Sequence, residues 1–145
     1  MTTLAVPDAG PRSRRERVTA PLLLAGAVVG ASVVLHLRDP HESGSYGFCP
    51  WLVLTGTYCP GCGGLRAVHD LTRGDLAAAA SSNLLFVGSL PLVLVLWAAW
   101  MRDRWRGVVR RVDQRRAVLL AAVLGVVVLA FWVVRNLPGL EWLTP

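Results

Sequence analysis

The stretch AVLLAAVLGVVVLAFWVV, residues 117–134, carries no charged side chain. At about 1.5 Å of rise per residue, a helix of this length nearly crosses a ~30 Å hydrocarbon core. Two further stretches read the same way: NLLFVGSLPLVLVLWAAWM at 83–101 and TAPLLLAGAVVGASVVLHL at 19–37. In lipid, each backbone satisfies its own N–H and C=O groups only as a helix. The expected fold class is therefore all-α integral membrane, with three transmembrane helices. Composition agrees. Of 145 residues, 54% are hydrophobic and 17% charged, and the mean hydropathy is +0.50. These values exclude a disordered chain, a collagen-like chain and a soluble two-layer enzyme. Pro91 is expected to kink the second span. Gly26, Gly30 and Gly125 are small positions where another helix would approach closely. His36 is the one ionisable side chain inside a span, which disfavours a transport path.

All fifteen basic residues are Arg, and their distribution orients the chain. Four precede the first span, and seven lie in the 102–116 loop between the second and third. The positive-inside rule puts both segments in the cytoplasm, and the 38–82 connection and the C-terminus outside. The expected location is the plasma membrane. Residues 1–18 read as a disordered cytoplasmic N-terminus and 19–145 as a single membrane domain. The first apolar run outlasts a cleavable signal's h-region, so the helix is expected to be retained. Trp97, Trp100, Trp105, Trp132 and Trp142 lie near span ends, as interfacial anchors do. The Arg-rich loop is short and abuts two spans, so it reads as a topology determinant facing lipid headgroups. No nucleic acid is expected as a partner. The bilayer is, and so are other membrane proteins.

The 38–82 connection is too long for a structureless loop. The semi-apolar run FCPWLVLTG at 48–56 is far too short to span, and suits a re-entrant or interfacial segment. Leu65 to Arg73 reads as a short helix, with Leu65, Val68 and Leu71 on one side. Gly74 ends it. Asp75 can cap a further turn, and Asn83 can cap the second span.

All three cysteines, Cys49, Cys59 and Cys62, fall in this connection. Three chemistries stay open. A disulfide from Cys49 to Cys59 or Cys62 would staple the segment to the short helix, leaving an odd thiol. A metal knuckle would take zinc, with a fourth ligand from His69 or His41. Against that, His69 also reads as a surface residue of its helix. A redox pair would use Cys59 and Cys62, Pro60 starting a helix with the Cys59 sulfur at its positive end. Supporting or anion-binding candidates are Arg66, Asp70, Asp75, Asn83, Arg135 and Asn136. Arg66 could pair with Asp70 or Asp75. Arg135 and Asn136 follow the third span on the outer side, within reach of the cysteines, though an interfacial anchor is the plainer role.

The ordered set Cys49-Pro50, Thr55-Gly56, Cys59-Pro60-Gly61-Cys62-Gly63, Arg66-Ala67, Gly74-Asp75, Asn83 and Arg135-Asn136 resembles the small bacterial membrane proteins grouped as domain of unknown function 2752. The resemblance is strong over 48–92 and looser at Arg135-Asn136. Two positions depart from the family's pattern. Leu65 stands where the family tends to have Thr, which removes a hydroxyl and weakens a catalytic reading. Asn83-Leu84-Leu85 replaces Asn-Pro-Leu. The family implies a site and a topology, and no substrate. The expected function is a non-enzymatic membrane component whose cysteine connection is a structural disulfide or metal knuckle, supporting membrane packing or partner binding. The alternative is a membrane thiol–disulfide oxidoreductase using Cys59 and Cys62.

Overall fold

Ser13 and Glu16 cap each other. The Ser13 hydroxyl accepts from the Glu16 N–H at 3.3 Å, and the Glu16 carboxylate accepts from the Ser13 N–H at 3.1 Å. This capping box starts the first helix, α1, Arg14–Leu37. Residues 14–18, expected within a disordered N-terminus, are thus helical. The computed structural model describes residues 13–42, 46, 49–108 and 113–144. The disorder expected further upstream falls on 1–12, outside the described residues. After α1 come α2 (Pro50–Thr55), α3 (Gly64–Thr72), α4 (Leu76–Arg106), α5 (Gln114–Arg135) and a 3-10 turn, Glu141–Leu143. Among the described residues, α1, α4 and α5 are long and apolar enough to cross a membrane. The two short helices α2 and α3 lie between the first and second of these.

Asp75 caps α4, accepting from the Ala78 N–H at 2.8 Å. The turn it begins runs on into the second span, interrupted only at Asn83 (φ −160, ψ 93). There the Asn83 Oδ1 accepts from the Phe86 N–H at 2.9 Å and restarts the helix. The helix is interrupted at Asn83, while the dihedrals at Pro91, where a kink is expected, stay helical. A side chain that supplies its own cap stabilises the interruption, which an apolar proline site does not.

Helices α1 and α4 run antiparallel. The Arg14 guanidinium lies 4.9 Å above the Trp105 ring at one end, and Trp97 Nε1 donates to the Pro21 carbonyl at 3.2 Å. At the other end α1 meets α3, through His36 Nδ1 and Thr72 Oγ1 at 2.9 Å. Among the described residues, a Cβ at Gly26, Gly30 or Gly125 would meet nothing within 4 Å, so no described helix packs closely on these small positions.

Among the described residues the buried set is small and nearly half polar: Val18, Pro21, Leu35, Pro40, Ala67, Ala79 and Leu143 with His69, Asp70, Ser82, Asn83 and Arg135. In α3 the apolar period is present but its sense is inverted. Ala67, His69 and Asp70 are buried while Leu65 is exposed. Outward apolar and inward polar residues suit a lipid surround. The closely packed part of the molecule is thus the end that gathers α2, α3, the Asn83 break and the C-terminus of α5.

Candidate functional site

Cys49 is the N-cap of α2, with Pro50 at the first helical position and Gly56 closing the helix at φ 70. Cys59-Pro60-Gly61-Cys62 forms a turn in which the Cys62 N–H donates to the Cys59 carbonyl at 3.1 Å. Gly63, at φ 82, leads into α3. That left-handed conformation costs a residue with a Cβ roughly 1–2 kcal/mol. The helix expected from Pro60 does not form there, because Gly61 and Gly63 favour the turn. The sulfur at a helix start is that of Cys49 instead.

These turns bring the three sulfurs together. Cys59 to Cys62 is 2.8 Å, Cys62 to Cys49 3.3 Å and Cys49 to Cys59 3.8 Å. All three cysteines are unbonded. Hydrogen bonding, led by the Leu52 backbone at the start of α2, lowers the Cys49 thiol below its ordinary value. Burial first, then the neighbouring thiols, push Cys62 up to about 12. An uncharged thiol is therefore the resting form of Cys62 unless a cation compensates it. The sulfurs line a cavity of about 540 Å³, shared with Tyr58, Leu52 and Arg66.

Two long helices hold this loop by its backbone. Arg135 Nη1 donates to the carbonyls of Cys59 (2.9 Å) and Cys62 (3.1 Å), and Nη2 to that of Leu143 (3.0 Å). Asn136 pairs with both backbone groups of Tyr58, at 2.9 and 3.0 Å. Asn83 Nδ2 donates to the carbonyls of Pro60 (2.9 Å) and Cys62 (3.0 Å). Arg135 is fully buried. Among the described residues it has no acidic partner, and its Nε has no hydrogen bond. The rings of Phe131 and Tyr58 lie 5.0 and 5.9 Å from the guanidinium.

The other expected residues separate from this group. Arg66 Nε donates to the Pro40 carbonyl at 3.4 Å and forms no ion pair with Asp70 or Asp75. Asp70 is turned into the interior, where it accepts from Ser82 Oγ at 3.1 Å. Asp75 is occupied as a cap. His69 is not a surface residue but 2% exposed. It joins Asp39 and His41 rather than the sulfurs. Sequence reasoning passed over Asp39 and Ser82. The available signal for Asp39 was its place beside Pro40 and His41, directly after a span.

The cysteine turns, Asn83 and the start of the second span thus form one contiguous unit. Residues 49–97 match the family described as protein of unknown function DUF2752. The matched segment holds every cysteine and Asn83, while Arg135 and Asn136, which clamp it, lie beyond its end. No curated protein and no solved structure matches the chain.

Proposed function

We propose that the three-cysteine loop is a metal knuckle, with zinc its expected occupant, on the extracytoplasmic face of a bacterial plasma membrane. It ties α2 and the 56–63 turn to the ends of α4 and α5, and so shapes a surface for lipid or for a partner membrane protein. The observation that carries this reading is the unbonded sulfur triangle beside Arg135, which is buried and has no carboxylate partner among the described residues. A buried cation is costly unless it is compensated. A divalent metal with three thiolates has a net charge of −1, which Arg135 neutralises. The metal also supplies what the Cys62 thiol lacks, because coordination deprotonates a thiol.

The fit is close. With Zn–S near 2.3 Å, tetrahedral geometry puts sulfurs ~3.8 Å apart. Cys49 and Cys59 already stand at 3.8 Å, and Cys62 must retreat from Cys59 by roughly 1 Å. Three protein sulfurs leave one of four positions to water or to a partner's side chain. The outward orientation rests on the Arg distribution. A cobalt titration of the chelator-stripped full-length chain in detergent tests the centre. One equivalent with a sulfur-to-cobalt absorption band is expected, lost in Cys62→Ser. Cobalt uptake without that band contradicts the reading.

The 2.8 Å separation of Cys59 and Cys62 favours a second reading, a thiol–disulfide oxidoreductase. There a Cys49 thiolate would attack Cys62 of a Cys59–Cys62 disulfide, forming the Cys49–Cys62 bond and releasing the Cys59 thiolate. Reversible exchange with a glutathione buffer is its mark.

A further inference from the structure

A second cluster of ligating side chains stands apart from the sulfurs, between the C-terminus of α1 and the face of α3. Asp39 and His41 follow α1, and His69 projects from α3. Their ligand atoms all lie within 4.8 Å of one another. We infer that Asp39, His41 and His69 form a second divalent-metal site, built from nitrogen and oxygen ligands.

The orientation of His69 supports the site. Its Nδ1 lies 2.7 Å from the Leu35 carbonyl, one of the last carbonyls of α1 without a helical partner. A carbonyl only accepts, so Nδ1 carries a proton, and Nε2 is the ring atom that remains to ligate. Nε2 faces the Asp39 carboxylate, with Oδ2 at 3.6 Å. That separation is too long for a hydrogen bond. It matches the ~3.3 Å that separates two ligands of a metal bound at ~2.0 Å. His69 is 2% exposed, and among the described residues its Nε2 has no hydrogen bond.

The remaining contacts have the form of an outer shell. The Leu35 carbonyl orients His69, as outer-shell acceptors orient metal-bound imidazoles. His41 Nδ1 lies 2.9 Å from Asp39 Oδ1, where a metal would replace the intervening proton. Its Nε2 then points to Asp70 Oδ1 at 3.7 Å. Asp70 is itself held by Ser82 Oγ. Arg66 fixes the Pro40 carbonyl between the two loop ligands. Two imidazoles and one carboxylate suit zinc and its first-row neighbours rather than calcium or magnesium. His41 is exposed, so the site opens to solvent and keeps a free coordination position.

The test counts metal. The untagged full-length chain in detergent is stripped with chelator, reloaded with Zn²⁺, desalted and assayed for zinc per chain. His41→Ala and Asp39→Asn are each expected to bind one equivalent less than wild type. His36→Gln, which removes a histidine outside the cluster, is expected to lose none. Because the readout is a difference, it does not depend on whether the sulfurs hold metal. Helix content by circular dichroism confirms that each variant is folded. Loading with Co²⁺ identifies the ligands: the lost equivalent should leave any sulfur-to-cobalt band unchanged. Equal zinc in wild type, His41→Ala and Asp39→Asn would overturn the inference. So would an equal loss in His36→Gln.

Discussion

Arg135 is the residue on which the polar end of the molecule depends. It is fully buried and donates to three carbonyls, two in the cysteine turn and one at Leu143. Arg135→Met should lower unfolding stability by about 3 kcal/mol, measured by denaturant titration in micelles. Arg135→Lys should recover only part of this, because an ammonium lacks the planar fork that reaches several acceptors. Asn83 separates two roles in one side chain. Asn83→Asp keeps the acceptor for the Phe86 N–H but loses the donor to Pro60 and Cys62. It should keep the helix restart while exposing the thiols to alkylation, whereas Asn83→Ala should lose both, with the cap alone worth about 1 kcal/mol. The closeness of Arg135 to the cysteines was legible as a place: an Arg-Asn pair ends the span on their side. What Arg135 binds was not legible, because backbone carbonyls have no residue signature. Likewise nothing local in the sequence distinguished a buried His69 from an exposed one. Its partner is a carbonyl 34 residues away.

The long helices follow from apolar length: each apolar stretch lies inside one of them, although α1 already begins at Arg14 and α4 at Leu76. Their ends and breaks needed cap chemistry. Asp75 and Asn83 were readable as caps because each is a short polar side chain before an apolar run. The Ser13–Glu16 box extends α1 into the basic segment read as part of a disordered N-terminus. The short elements depend on glycine. Gly63 sits at φ 82 between the cysteine turn and α3. Gly63→Ala should destabilise the fold by about 1 kcal/mol and weaken cobalt binding, since Cys62 is its neighbour; a paired cobalt and denaturant titration reads both effects. The period of α3 was readable, but which face turns inward was not. In a lipid surround the hydrophobic side need not be the buried one.

At the scale of the whole molecule, apolar helices enclose a small polar hub at one end. Leu94 is 63% exposed and Val126 65%, proportions that water would penalise and hydrocarbon would not. In the proposed orientation the hub faces outward and the Arg-rich 102–116 loop faces the cytoplasm. An alkaline phosphatase fusion after Gly74 should therefore be active, and one after Gly107 inactive. The most direct test of the metal knuckle is thiol counting in native membranes without reductant. A membrane-impermeant maleimide is applied before and after chelation, followed by a permeant one after denaturation, with intact mass as the readout. The account predicts no adduct before chelation and three in total once metal is removed. A total of one adduct, with chelation making no difference, would mean one disulfide and one free thiol, and would contradict it.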